Sequence, residues 1–235
     1  MLGRYFKYFC LGLLIFTLTG CSPAASGMSA VTTETSTVDT MSQATMDRYR
    51  ENELREYQGQ PLDPAIGPAD NSISGVKIVS LDNYQLTING LVEKPVKLSY
   101  EQVLALTPVE RFITLHCVTG WDANILWKGV LFEDLFSLAG GVKDTAKTVI
   151  FRAVDGYSTS MPLALIIAND LILAYEANGL YLPAEMGYPF IVVAEDKWGY
   201  KWARWVSSIE LSADENFKGY WEQAGYDNNA DVIGK

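Results

Sequence analysis

The stretch Ile113-Thr-Leu-His-Cys-Val-Thr-Gly-Trp-Asp122 sets a cysteine where an alternating apolar strand runs into a turn. In an extended Arg111 to Val118, successive side chains point to opposite faces, so Ile113, Leu115 and Cys117 share one side while Phe112, Thr114 and His116 share the other. The chain has three cysteines in 235 residues. Cys10 and Cys21 fall in a leader, which leaves Cys117 without a disulfide partner in the folded region. It is then an inert small hydrophobe, a ligand or a nucleophile. The single histidine, His116, points away from the sulfur, so a cysteine hydrolase lacks its base. One Cys with one His also falls short of the ligand set of a zinc site. The ordinary role for His116 is that of a half-buried structural residue.

Outward from this point, the first 21 residues read as a secretory leader. Basic Arg4 and Lys7 precede the apolar run Phe9 to Leu18, which is too short for a stable membrane span. Leu18-Thr-Gly-Cys21 resembles a bacterial lipoprotein signal, with Cys21 as the lipidated new N-terminus. Acyl chains there would anchor the protein to a membrane surface, so an extracytoplasmic, lipid-anchored location is expected. The formal charge of -10 and 12% aromatic content argue against nucleic-acid partners and for one domain with a real core.

Residues 22–70 change composition to Ser, Thr, Ala and Met, then to the charged run Asp47 to Glu56 and the Pro-rich Gln60 to Pro68. This predicts a flexible tether with one short helix near residues 46–57. A domain over 71–235 follows. Tyr84 to Gly90 alternates as a strand; Ser99-Tyr-Glu-Gln102 is a capping box opening a helix through Leu106. Phe132 to Ala139 reads as a helix stopped by Gly140-Gly141, Thr148 to Ala153 as a strand, and Pro162 to Ala168 as a helix. Leu171 to Tyr175, Phe190 to Ala194 and Trp205 to Leu211 read as strands. Short strands mixed with irregularly spaced short helices predict an α+β domain.

Several segments of this domain then form an ordered set: His116-Cys-Val-Thr-Gly-Trp121, Trp127 to Leu135, Asp155-Gly-Tyr157, Leu173 to Gly179 with Leu182-Pro183, Gly187-Tyr-Pro189, and Trp198-Gly-Tyr-Lys-Trp-Ala-Arg-Trp205 leading to Ile209-Glu-Leu211. In this order and spacing the chain resembles the molybdopterin-binding oxidoreductases, a family that includes sulfite oxidase, plant nitrate reductase and the bacterial periplasmic methionine sulfoxide reductase catalytic subunit. The resemblance covers about residues 75–226.

It implies a sulfite-oxidase-type fold of mixed short sheets with peripheral short helices. It further implies that Cys117 is the catalytic metal ligand, giving its thiolate to the molybdenum of a molybdopterin cofactor. Gly199, Tyr200 and Lys201 match the segment that wraps the pterin phosphate, with Arg204 assisting. Asp155 and Tyr157 match the turn that approaches the cofactor. Met186 and Ile191 stand where the family carries an Asn or His and an Arg, so Arg152, Lys128 or Arg204 would have to supply the missing cation. The implied activity is oxygen-atom and two-electron transfer on a small molecule, with tungsten able to replace molybdenum. The chain has no Cys-x-x-Cys-His haem motif, so electrons would pass to or from an external partner. Few arginines outside the tether favour a neutral, sulfoxide-like substrate over sulfite. A cofactor-free or differently liganded binding module on the same fold is the alternative.

Overall fold

The computed structural model describes residues 43–68 and 70–232. In chain order its elements are α1 (Gln43–Asn52), β1 (Glu56–Tyr57), β2 (Gln60–Pro61), β3 (Leu86–Gly90), β4 (Val96–Leu98), α2 (Tyr100–Leu104), β5 (Val109–His116), β6 (Asp122–Leu131), α3 (Phe132–Leu138), β7 (Thr148–Ala153), β8 (Ser158–Pro162), α4 (Leu163–Ala168), β9 (Ile172–Ala177), β10 (Leu180–Tyr181), β11 (Ile191–Val193), β12 (Val206–Ser212) and α5 (Tyr220–Gln223). The leader and Cys21 lie outside the described residues.

Among the described residues the strands form a β1-β2 hairpin and two five-stranded sheets. One sheet runs β4-β3-β12-β7-β8; the other runs β10-β9-β6-β5, with β11 also paired to β9. All these pairings are antiparallel except β12 with β3. The chain crosses between sheets four times, which is why the architecture is mixed α+β rather than a wound parallel sheet. Trp127, Phe132, Phe151, Phe190 and Trp205 are fully buried and fill the core.

Local chemistry accounts for the start of α2 and the end of α3. Ser99 caps α2 as a complete capping box with Gln102. Helix α3 stops at Gly140-Gly141, where the Gly141 N–H closes onto Phe136 O at 3.0 Å. Strand β6 has no alternating pattern to find in the sequence. It lies between β5 and β9 and is buried along most of its length, so both faces demand apolar residues.

The tether expected over 22–70 is corrected for its described part. Helix α1 ends at Asn52, and the segment after it packs on the domain: Leu62, Ala65 and Ile66 are buried. The reason is polar satisfaction that composition does not reveal. The buried Glu53 carboxylate pairs with Arg50 at 2.9 Å and accepts from Ala65 N at 3.0 Å and Asn178 Nδ2 at 2.9 Å. Asp63 and Asn124 also exchange hydrogen bonds, Asp63 N to Asn124 O and Asn124 N to Asp63 Oδ2, both at 2.9 Å. With Glu53 and Asp63 satisfied, the part of the charged and Pro-rich segment that carries Leu62, Ala65 and Ile66 packs as an extra layer of the fold.

Candidate active site

Strand β5 delivers Cys117 to the site. Ile113 and Leu115 are buried on the same face, and Cys117 itself is only 5% exposed. The loop after it is closed by hydrogen bonds from Cys117 N to Trp121 O at 2.9 Å and from Gly120 N to Cys117 O at 3.0 Å. His116, on the opposite face, bonds through Nδ1 to Asp122 Oδ1 at 2.8 Å. It therefore has the structural role its strand position predicts.

The segment Trp198 to Trp205 reaches Cys117 because His116 forms a parallel bridge with Trp198. The next residue, Gly199, comes so close that an added Cβ would sit 3.3 Å from His116 O. Only a bare backbone allows the two segments to meet without displacement. From the other sheet, the turn between β7 and β8 is fixed by Ala153 N to Tyr157 O and Tyr157 N to Asp155 Oδ1, both 2.9 Å. The Tyr157 hydroxyl donates to Tyr200 O, which ties the two turns together.

These pieces enclose a cavity of about 350 Å³. Cys117, Asp155, Tyr157, Gly199, Tyr200 and Arg204 all line it. Met186 and Ile191 line the wall without filling the space. Burial, reinforced by Glu222 and Asp155, pushes the Tyr157 phenol far above its ordinary value. The Tyr200 phenol is raised to about 12, chiefly by burial and then by Asp227. Both therefore enter the site as neutral hydroxyls at physiological pH.

Lys201 is the exception among the expected residues. Its side chain is fully buried away from the cavity, paired with an equally buried Glu222. Its other donations go to Ser160 O at 3.0 Å and Asn228 Oδ1 at 3.1 Å. All three ammonium hydrogens are thus spent inside the protein, so a phosphate-holding role is corrected to a structural one. Burial lowers the Lys201 pKa while Glu222 opposes that shift. Arg152 and Lys128, the other expected cations, pair with Glu210 and Glu176 and do not line the cavity.

That leaves Arg204 as the cation among the described lining residues, facing Asp70, Asp155 and Glu185. Its Nη2 lies 3.2 Å from Asp70 Oδ1, its Nη1 donates to Glu185 O at 2.8 Å, and its plane covers the Trp205 ring at 4.7 Å. Gly187 makes room for it: with φ at 103°, an added Cβ would meet Arg204 Cβ at 2.7 Å. No motif in the chain marks Asn71, whose Nδ2 donates to Cys117 Sγ at 3.4 Å. Thr119 Oγ1 also meets that sulfur, at 3.0 Å, and belongs to the motif around Cys117 without standing out in it. Trp221 and Tyr226 contribute the wall from the C-terminal segment.

Comparison with known proteins settles the family. The model of the oxidoreductase molybdopterin binding domain matches residues 73–221. The chain belongs to that family. The uncharacterized oxidoreductase YuiH of Bacillus subtilis (strain 168) is 37% identical over 152 residues, 64% of this chain and 76% of its own. A putative protein-methionine-sulfoxide reductase subunit, YedZ1, of Azospira oryzae is 31% identical over 151 residues, 64% of this chain and 57% of its own. Among solved structures, the sulfane dehydrogenase SoxCD of Paracoccus pantotrophus superposes with a TM-score of 0.57 at 27% identity, covering 60% of this chain and 41% of that one. The sulfite-oxidase-type architecture expected from the sequence is the one observed.

The lining residues fit a molybdopterin group at the sulfur and at the wall. One soft thiol, with two polar neighbours, opens into the cavity. Trp121, another lining residue, keeps a buried Nε1 donor with no partner in the protein, a donor that a heteroatom-bearing guest could take up. Among the described residues no cluster of three or more metal-ligating side chains occurs, so a metal here must bring most of its ligands with it. Arg204 is the side chain that would meet an anionic tail.

Proposed function

We propose that this chain is a surface-tethered, molybdenum-cofactor oxidoreductase that moves an oxygen atom and two electrons between a small neutral substrate and an external redox partner. The observation that carries this reading is Cys117 Sγ opening into a cavity lined by five of the six other residues that the family motifs bring to the site. When bound, the cofactor would supply a two-electron oxygen-transfer centre; tungsten would satisfy the same sulfur chemistry.

The chain's own residues do the rest. Asn71 and Thr119 orient the sulfur, the neutral Tyr157 and Tyr200 close the site against bulk water, and Arg204 holds negative charge. Two carboxylates, Asp70 and Asp155, beside one guanidinium make the cavity less favourable for sulfite than for an uncharged, sulfoxide-like molecule. The name of YedZ1 points the same way. Lipidation at Cys21 would hold the enzyme on the outer face of a bacterial membrane, where its partner is a separate electron carrier.

Elemental analysis of protein purified from its native host tests the reading. Molybdenum or tungsten stoichiometric with the chain, and absent from a folded Cys117→Ala variant, is the expected result. Metal-free wild-type protein with an intact fold would support the binding-module alternative, which the acidic lining and the sequestered Lys201 favour.

A further inference from the structure

We infer that the mouth of the Cys117 cavity is a docking face for a basic one-electron carrier protein, formed by an apolar rim set in negative charge. The inference deepens the proposed redox function and rests on it.

Exposed apolar side chains gather at this opening. Val118 and Tyr226 line the cavity while 48% and 41% exposed, so they sit where it meets solvent. Val154, 49% exposed, precedes the lining Asp155, and the half-exposed Tyr220 sets its ring 6.0 Å from that of the lining Tyr157. Apolar groups clustered at one opening mark a contact surface, whereas scattered ones do not. The rings are also held in place: Trp221 lies 5.3 Å from Tyr220 and 5.1 Å from Tyr226, and Tyr226 lies 5.3 Å from Tyr200. Rigid aromatics give up little entropy when a partner covers them.

Charge selects the partner. Lys197 and Lys201 are paired with Asp231 and Glu222, and Arg204 with Asp70. Asp155 lines the cavity, and Asp227 stands beside Tyr200, whose hydroxyl donates to its backbone O at 2.8 Å. Along the C-terminal segment that carries the two tyrosines, exposed Asp214, Glu215 and Asp227 outnumber exposed Lys218. A carrier ringed by lysines is steered to such a face, and an acidic one is repelled. Position favours an electron carrier over other cationic proteins. Val118 follows Cys117 directly in the chain, so a redox group seated on the rim lies one residue from the sulfur. Reducing a sulfoxide takes up two electrons and two protons and releases water, so a one-electron carrier must dock and leave twice per turnover. A small, charge-steered contact meets that demand.

Isothermal titration calorimetry of the purified full-length chain tests this with cytochrome c, a basic haem carrier, and with an acidic plant-type ferredoxin. Cytochrome c should bind and ferredoxin should not, and the affinity should fall about tenfold as ionic strength rises from about 0.02 to about 0.2 M. Val154→Lys should weaken binding about fivefold and Val154→Glu should strengthen it about as much. Leu138→Lys, the same charge change on exposed α3 away from the lining residues, should leave it unaltered. Tyr220→Ser combined with Tyr226→Ser should weaken it about tenfold, with near-ultraviolet circular dichroism confirming the fold. Absence of cytochrome c binding at low salt would overturn the inference, as would equal affinity for ferredoxin or a loss in Leu138→Lys as large as in Val154→Lys. Self-association of the chain that Val154→Lys abolishes would also overturn it, assigning the rim to a second copy. Docking does not need the metal, so a failed cofactor reading shows in the metal analysis and a failed docking face shows in the calorimetry.

Discussion

Lys201 shows how a single residue's role depends on what surrounds it. Its position in Gly199-Tyr200-Lys201 invites an anion-binding role, but its ammonium lies in a buried pair with Glu222, and the second Glu222 oxygen has no partner. Such a pair is a weak source of net stability, because desolvation of two charges offsets most of their attraction; breaking it is costly, because one charge is left stranded. Lys201→Met is accordingly expected to destabilise the metal-free protein by about 3–5 kcal/mol in chemical denaturation. Lys201→Met combined with Glu222→Leu should recover most of that loss. If the single variant left metal-free stability unchanged, the lysine would not be the structural clamp described here. Glu222 sits on α5 beside Trp221, so the same pair fixes the C-terminal wall of the cavity.

At the scale of elements, the N-terminal segment is the part whose behaviour its composition misstates. Leu62 is 3% exposed although it lies among prolines and charges. Leu62→Ala should cost about 2–5 kcal/mol, the range for truncating a packed leucine, read as a shift in the denaturation midpoint. A change within a few tenths would restore the tether reading. The segment matters to function because it carries Asp70 and Asn71 into the cavity. Strand β6 is the opposite case. Its residues were recognisable as a motif, yet its conformation was not, because a strand buried on both faces gives up the two-residue period by which strands announce themselves. Strands β3, β5 and β12 and helix α2 were legible within a residue or two, since each strand alternates buried with more accessible positions and α2 carries a capping box; β7, buried except at Arg152, was legible although it keeps no exposed face.

At the scale of the whole molecule, buried phenols couple the fold to alkaline pH. Burial raises Tyr49, Tyr84, Tyr100 and Tyr157 well above the ordinary phenolic value and Tyr200 to about 12. The folded chain thus keeps protons that the unfolded chain loses above about pH 10. Their contribution to stability is complete below that pH and is lost as pH rises through the folded values. Alkaline titration should show tyrosinate absorbance from these groups appearing together with loss of near-ultraviolet circular dichroism. Gradual ionisation of the full tyrosine complement in an intact fold would contradict this.

The sequence by itself determined the mixed architecture, the face on which Cys117 lies, and the candidacy of Asp155, Tyr157, Gly199, Tyr200 and Arg204, because periodicity, capping and motif spacing are local properties of the chain. The tertiary structure alone decided that Lys201 turns inward, that Asn71 touches the sulfur, and that Asp70 holds Arg204. Partners 21, 46 and 134 residues apart in sequence meet there. Which charge ends beside which is settled only when both sheets and the segment before them close on one cavity, since burial forces each polar group to find whatever partner the packing brings within reach.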